Sequence, residues 1–508
     1  MNRAIIYILF LGSGLTGLIY QVLWTRLLTL TFGVTTLAIS TVLTCFFGGL
    51  ALGSFLGGRW ADKFGRGFKW YGVAEIIIGV YALLFLMILS LNNEVYVMIA
   101  RSLGLGFYGQ TIIKFVLSII ILIIPATMMG VTLPILSKEL SHRWDHFAKD
   151  IGNLYAINTL GAVAGAVLTA YYLIPSFGIR AIIISVGLVN IGIGIAALII
   201  DKKGGAPGDV ACEVGEVAAS VTERVGEAVK HVPAGFALLV LIGFALSGFT
   251  ALAYEVIWTR ILGFILTGTI QAFASVLAVF LSGIAVGSYI VSRYIDRFKN
   301  ISVVINALAI VEILIGVVSI SIIMLYLYIP NLSWYDKVTS FTSWGEYVYV
   351  NFMISFLLLF LPTLLFGATF PLVCKIYNTR MDRVGKSIGN VYSGNTVGGI
   401  LGSFAGGFVL IQFVGMQKSM VLMGIINVGI GIVILLFNPF ARKGVKYGLS
   451  VAGAVALIVV IMIIPENMPK ALHQGFIGED EEMLFYEEGP AATVMISHKP
   501  GRNMVFSD

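Results

Sequence analysis

One membrane-length apolar stretch occurs twice in the chain, and this duplication limits what the chain can fold into. The first copy is Gly17-Leu-Ile-Tyr-Gln-Val-Leu-Trp-Thr-Arg26 and the second is Ala251-Leu-Ala-Tyr-Glu-Val-Ile-Trp-Thr-Arg260. Both lie inside apolar runs long enough to cross a bilayer, which takes about 20 residues. Polar side chains in such a run cost free energy unless they find partners. The repeat therefore predicts two homologous halves packed together in a membrane.

The residue composition also indicates a membrane protein. Of 508 residues, 58% are hydrophobic and 11% are charged, whereas soluble domains carry about 25% charged residues. The net charge is +6, but the basic residues lie in several short loops, so we expect no nucleic-acid partner. Cys45, Cys212 and Cys374 are far apart and odd in number, which predicts no disulfide framework and no zinc site. We expect the lipid bilayer as a partner and no cofactor or metal on this chain.

Thirteen apolar runs reach the length of a membrane span. The first half has six, near residues 4–31, 36–58, 69–91, 112–137, 151–174 and 180–200. The second half has six more, near residues 236–265, 270–292, 302–328, 348–374, 386–414 and 418–437. The thirteenth covers about 446–464. These runs predict an all-α polytopic membrane protein with two six-helix repeats and an extra helix.

The duplication continues through both halves. Glu75 matches Glu312, and Gly130-Val-Thr-Leu-Pro134 matches Gly367-Ala-Thr-Phe-Pro371. Because each half has an even number of spans, both halves enter the membrane in the same direction, as parallel repeats do. Glycines spaced four residues apart predict close helix packing. They are Gly49, Gly53, Gly57, Gly161, Gly165, Gly398, Gly402 and Gly406.

Charge in the loops predicts the orientation and the domain limits. Lys and Arg are concentrated in the loops after spans 2, 4, 8, 10 and 12, so these loops and the N-terminus are expected in the cytoplasm of a multi-pass plasma (inner) membrane protein. The predicted units are an N-terminal bundle, an amphipathic cytoplasmic linker, a C-terminal bundle, an extra transmembrane helix and a short β-rich stub. They cover residues 1–200, 201–232, 233–440, 441–464 and 465–508.

A charged segment follows span 2. The segment Gly58-Arg-Trp-Ala-Asp62-Lys63-Phe-Gly65-Arg66 resembles the signature loop of the major facilitator superfamily. That resemblance implies that Asp62, Lys63 and Arg66 hold a cytoplasmic gate. The second copy keeps Asp296 and Arg297, also gate candidates, but lacks the following Gly-Arg. The alternative is a basic loop that only follows the orientation rule.

Three carboxylates lie inside predicted spans. Glu75 and Glu312 are candidates for proton or cation coupling, since an intramembrane carboxylate often marks such a path. The alternative is a structural carboxylate paired with a backbone amide or a neighbouring arginine, for which Arg26 and Arg260 are candidates. Glu255 replaces the Gln21 of the first copy, a difference that suits a positively charged ligand or reflects drift.

Aromatic residues accompany this charge. Tyr20 and Trp24, like Tyr254 and Trp258, are four residues apart and share a helix face. Such a stripe is typical of packing, but it also suits an organic cation through cation–π contact. The predicted substrate-binding residues are Tyr20, Gln21, Trp24, Arg26, Tyr254, Glu255, Trp258 and Arg260.

The repeated Tyr-X-X-X-Trp-Thr-Arg helix, the Gly-X-Thr-X-Pro helix and the tail Leu484-Phe-Tyr-Glu-Glu-Gly-Pro-Ala-Ala-Thr-Val494 together resemble one family. Its members join a facilitator-like membrane part to a spermidine synthase-like aminopropyltransferase. The resemblance implies that the tail forms the first strands of that enzyme. The sequence ends at Asp508, before a Rossmann-like fold would begin, so no catalytic residue is carried over.

These observations support three hypotheses. The first is a facilitator-like transporter or binding protein for a small organic cation such as a polyamine. The second is a membrane anchor or subunit of an aminopropyltransferase whose catalytic domain is a separate or continuing part. The third is a membrane scaffold that transports nothing.

Overall fold

A computed structural model gives the structure of most of the chain. The described residues are 3–33, 35–64, 67–140, 147–203, 232–265, 269–298, 300–328, 343–377, 384–464, 482–488, 493–499 and 502–507. Most of the predicted linker, residues 204–231, lies outside them, so the amphipathic helix expected there stays a prediction.

Thirteen α-helices occur in the described residues, and we number them in chain order. The first six are α1 (Arg3–Phe32), α2 (Thr35–Phe64), α3 (Gly67–Leu103), α4 (Phe107–Leu140), α5 (Phe147–Leu168) and α6 (Ile174–Lys203). The next six are α7 (Ala234–Ile265), α8 (Thr269–Tyr294), α9 (Ile301–Tyr328), α10 (Trp344–Tyr377), α11 (Val384–Ala405) and α12 (Met416–Phe437). Helix α13 is Lys443–Ile463. The all-α fold predicted from the apolar runs is confirmed.

Within the described residues, twelve continuous helical stretches are long and apolar enough to cross a membrane. The sequence predicted thirteen separate spans, and the difference lies at spans five and six. These form one stretch of 47 residues, Ala156–Lys202, interrupted at Gly178, which has φ 72° and ψ 158°. Gly415, the corresponding residue of the second half, has φ 84° and ψ 162° and separates α11 from α12. Glycine is needed at both positions because other residues rarely adopt a positive φ.

The two halves repeat the same packing. Helix α1 packs on α5, α2 on α4, and α3 on α6, and the second half pairs α7 with α11, α8 with α10, and α9 with α12. The regularly spaced glycines lie in these pairs. A side chain at Gly53 would meet the Gly130 backbone at 2.8 Å, and one at Gly402 would meet the Cα of Phe249 at the same distance. The prediction that these glycines serve close helix packing is confirmed.

A π-helical segment precedes each of the two glycines. The first is Thr169–Leu173, after α5, and the second is Gly406–Val414, after α11. Both segments lie at the same position of their repeat, so the duplication includes this departure from α-helical geometry. π-Helical turns are rare and occur frequently at functional sites.

The halves meet along two pairs of helices. Helix α2 packs on α11, and α5 packs on α8. Thr44 and Ser403 share a hydrogen bond of 2.9 Å across the first contact. Tyr171 and Ser275 share another across the second, and the Trp344 indole donates to the Tyr171 carbonyl at 2.9 Å. All these contacts lie toward the end of the bundle opposite the basic loops.

Helix α13 and a small sheet follow the two bundles. Helix α13 packs on α9 and α12, and its Gly453 lies against Ile313. Strands β1 (Glu482–Glu488), β2 (Thr493–Lys499) and β3 (Arg502–Ser507) form an antiparallel sheet in that order. The short strands predicted for the tail are therefore present.

Candidate functional site

The aromatic candidates face the interior of their own half. Tyr20 and Trp24 stack at 5.7 Å between ring centres, and Trp24 also contacts Phe85 of α3 at 5.6 Å. Tyr254 and Trp258 stack at 4.9 Å. All four side chains are buried. Since their rings are already in contact with neighbouring side chains, packing accounts for the stripe in this conformation.

The polar candidates Gln21 and Glu255 are different. They occupy matching positions on α1 and α7, and each is 1% exposed. The Gln21 amide nitrogen and both Glu255 carboxylate oxygens make no hydrogen bond within the described part of the chain. Residues next to them, Val22 and Val256, belong to one apolar cluster that includes side chains of both halves. Glu255 is therefore a buried carboxylate to which no described residue donates a hydrogen bond, close to the contact between the halves.

Arg26 is half-buried and Arg260 is 8% exposed. Arg260 follows Glu255 by five residues, which is about 7.5 Å along a helix axis. The two arginines therefore occupy matching positions on α1 and α7.

Glu75 is held by uncharged side chains in the N-terminal half. Ser13 of α1 donates to its Oε1 at 2.5 Å, and Asn190 of α6 donates to its Oε2 at 2.5 Å. Tyr20 completes the cluster by donating to the Asn190 amide oxygen at 2.9 Å. The candidate partner named from the sequence was Arg26, whereas the structure brings a hydroxyl and an amide to this carboxylate.

Glu312 has a similar environment in the C-terminal half. Asn427 of α12 donates to its Oε2 at 3.3 Å, and Ser247 of α7 lies beside the carboxylate. Sequence reasoning missed Ser247 and Asn427, as it missed Ser13 and Asn190. The duplication carried the signal, because both the serine and the asparagine recur at matching positions of the two halves.

The gate candidates are described only in part. Asp62 and Lys63 lie in the last turn of α2, but their side chains, like that of Asp296 and the whole of Arg66, lie outside the described residues. Arg297 is exposed, with its guanidinium 4.8 Å from the centre of the Tyr294 ring.

A lysine of α10 holds the second of these loops in place. The Lys375 ammonium donates to the Ile295 carbonyl at 2.5 Å, which ties the end of α10 to the short 3₁₀ turn Ile295–Arg297.

The parallel repeat and the paired helices describe a double bundle, and comparison with known proteins gives the family. A model of the Major Facilitator Superfamily matches residues 6–373, well over half of the chain. The chain belongs to the Major Facilitator Superfamily. This facilitator is therefore a multi-pass membrane transporter.

Solved structures share the fold of this facilitator at low sequence identity. The nucleoside transporter NupG is 13% identical, with a TM-score of 0.51, and the match covers 87% of this chain and 100% of that chain. A D-xylose-proton symporter is 14% identical, with a TM-score of 0.51, over 85% of this chain and 97% of that one. At these identities the likeness concerns the fold alone.

A different kind of protein is similar over a short region. Polyamine aminopropyltransferase 2 of Streptomyces coelicolor is 28% identical over 121 residues, which is 23% of this facilitator. The match spans 22% of the length of that curated relative.

Proposed function

We propose that this facilitator transports a small organic cation, and that the substrate is a polyamine. Glu255 carries the proposal. Its two carboxylate oxygens are buried and receive no hydrogen bond within the described part of the chain. A buried charge costs several kcal/mol unless it is paired. An ammonium group supplies both the opposite charge and the hydrogen-bond donors that this carboxylate lacks.

The short match to an aminopropyltransferase supports the choice of a polyamine. The name of that relative refers to polyamines, and the match covers 23% of this chain. Polyamines carry several ammonium groups, so one group would bind Glu255 while the others would stay away from Arg26 and Arg260. Gln21 would turn its amide oxygen toward the amine. Tyr20, Trp24, Tyr254 and Trp258 would form the walls of the two bundles behind these polar groups.

The other candidate residues enter the same proposal. Glu75 and Glu312 would respond to the coupling proton or cation, because each is a buried carboxylate inside a membrane-length helix. The cytoplasmic gate would be formed by the two charged loops, through Asp62, Lys63, Arg66, Asp296 and Arg297.

The test is the substitution Glu255→Gln, which keeps the shape and removes the charge. Removing one partner of a buried, hydrogen-bonded charge pair costs about 2–5 kcal/mol. We therefore expect the Kd for spermidine of the purified protein to rise by at least about 30-fold, since 1.4 kcal/mol is about tenfold. Uptake of spermidine by proteoliposomes should fall with it.

The matched control is Glu94→Gln, which removes a carboxylate from an exposed position on α3. It should leave spermidine affinity unchanged. Wild-type affinity in folded Glu255→Gln protein would refute the cation site. Folded wild-type protein that binds and moves no tested amine would instead favour a scaffold.

A second candidate function rests on the tail. The three strands β1–β3 follow α13, and the short match is to an aminopropyltransferase. In this alternative the membrane part anchors or feeds such an enzyme. Purification from native membranes tests it. Spermidine synthase activity with a polypeptide that carries a glycine-rich cosubstrate loop would support it, and an inactive chain without such a polypeptide would count against it.

A further inference from the structure

The two halves satisfy their buried glutamates to different extents, although the residues around them are repeated. Glu75 and Glu312 are 0% and 1% exposed and occupy matching positions on α3 and α9. Each lies against an asparagine, Asn190 on α6 or Asn427 on α12. The difference lies in how many of the surrounding polar atoms find partners.

The cluster around Glu75 is complete without any further group. Both carboxylate oxygens accept hydrogen bonds of 2.5 Å, from Ser13 and from Asn190. The Asn190 amide oxygen accepts from Tyr20 at 2.9 Å. Every member of this cluster therefore makes at least one good hydrogen bond, as buried polar groups require.

The cluster around Glu312 is incomplete. The Asn427 amide donates to the carboxylate over a longer distance, 3.3 Å. The Asn427 amide oxygen, in a residue that is 0% exposed, accepts no hydrogen bond from a described residue. The Ser247 hydroxyl lies beside the Glu312 carboxylate but makes no well-aligned hydrogen bond to any described residue. Tyr254, which matches Tyr20, does not reach Asn427 but donates to the carbonyl of Met420 at 3.1 Å. Helices α9, α12 and α7 thus contribute a carboxylate, an amide and a hydroxyl to one buried cluster, and the Asn427 amide oxygen accepts no hydrogen bond from a described residue.

We propose that Glu312, Asn427 and Ser247 bind a sodium ion between α7, α9 and α12. Carboxylate, amide and hydroxyl oxygens are hard ligands, which suit hard cations. The charge decides the class of cation. One carboxylate is neutralised by a monovalent ion, whereas a divalent ion would leave a net positive charge buried in the bundle. A water molecule would satisfy the hydrogen bonds but leave the negative charge uncompensated.

Binding of this ion would be a function of the C-terminal half alone. Among the described residues of the N-terminal half, the matching amide oxygen of Asn190 already accepts a hydrogen bond from Tyr20. A role for sodium in driving transport rests on the function proposed above. As a bound ion, it depends only on this side-chain cluster and can be measured without any organic substrate.

The experiment measures thermal unfolding of the purified full chain as Na⁺ replaces choline at constant ionic strength. A ligand that binds only the folded state stabilises by RT ln(1 + [L]/Kd). At a Na⁺ concentration about ten times Kd, the folded-to-unfolded ratio should rise about 11-fold. We expect a saturable increase in Tm with Na⁺ and a smaller one with K⁺.

Paired variants locate the ion. Ser247→Ala and Glu312→Gln should weaken or abolish the sodium response, whereas Ser13→Ala and Glu75→Gln should keep it. Ser247→Ala removes a single oxygen, so it gives a result even if Glu312→Gln fails to fold. Glu255→Gln should also keep the response, which separates failure of the ion site from failure of the organic-cation site.

The following results would overturn the proposal. Equal responses to Na⁺, K⁺ and choline would show a salt effect without a site. A Tm that depends on pH but not on Na⁺ would assign the position to a proton. A sodium response that survives Ser247→Ala and Glu312→Gln together, or that is lost equally in Ser13→Ala, would place the ion elsewhere.

Discussion

Removing the hydroxyl of Tyr171 should loosen the contact between the halves at the end opposite the basic loops. Tyr171 lies in the first π-helical segment, and its hydroxyl shares a hydrogen bond with Ser275 of α8. It also lies 3.5 Å from the carbonyl of Gln271. The Trp344 bond uses the Tyr171 carbonyl, so Tyr171→Phe leaves that bond in place. The substitution therefore removes one interaction between the halves and keeps the other.

The structure sets the size of the effect. Ser275 is 0% exposed, so its hydroxyl would be left buried without its partner as long as the contact stays closed. A lost partner of this kind costs about 1–3 kcal/mol, and about 2 kcal/mol changes a population ratio about 30-fold. A population of about 1% with this end open would rise to about 20–25%. The double variant Tyr171→Phe/Ser275→Ala should recover much of the closed population, because no buried hydroxyl is then left unpaired.

Pulsed electron–electron resonance measures these populations directly. Spin labels at Ser102, at the end of α3, and Ser343, just before α10, are exposed and lie on different halves. Tyr171→Phe should increase the long-distance fraction. The control Tyr20→Phe acts within one half and should leave the distribution unchanged. A distribution that Tyr171→Phe does not alter, or that the double variant shifts further open, would refute the assignment of this contact.

Two further predictions concern stability. Gly402→Val should lower the free energy of unfolding by about 1–3 kcal/mol, because the new side chain would meet the Phe249 backbone. The control is Gly192→Ala, whose added methyl group would meet no atom within 4 Å and should not lower the Tm. Tyr20→Phe should lower the Tm more than Tyr254→Phe, because it leaves the buried Asn190 amide oxygen without its donor. Tyr254 donates to a main-chain carbonyl inside α12, which the helix already pairs. Equal Tm values for these two tyrosine variants, or a Gly402→Val protein as stable as wild type, would contradict this reasoning.

The helix-packing glycines show how much of the fold could be predicted. Gly53 and Gly402 were expected at close helix contacts from their spacing alone, and the structure places both against neighbouring backbones. In membrane helices, small residues spaced four apart lie on one face and allow neighbouring helices to approach closely, so their spacing alone predicts a packing role. The break between spans five and six was predictable as well, because the apolar runs end near residue 174 and resume near residue 180, and Gly178 interrupts the helix between them.

The sites were less predictable. The position of Glu75 in a span was evident from the sequence, but Ser13 and Asn190 lie 62 and 115 residues away from it. Which side chain meets a carboxylate depends on how helices rotate against one another, and local patterns carry no such information. The same applies to the aromatic stripe. The sequence placed Tyr20 and Trp24 on one face, and only the packing of α1 against α3 and α6 showed which way that face points.

By itself, the sequence determined that this chain is a duplicated polytopic membrane protein with membrane-length helices. Apolar length, loop charge and internal repetition act locally along the chain, so they can be read without coordinates. The tertiary structure alone decided which buried polar atoms are satisfied. It paired Asn190 with Tyr20, whereas side-chain oxygens of Asn427 and Glu255 have no hydrogen-bond partner in the described part of the chain. The physical reason is that two repeats with matching polar residues differ in contacts between helices that are distant in sequence, and whether a buried polar atom is satisfied depends on how those helices pack.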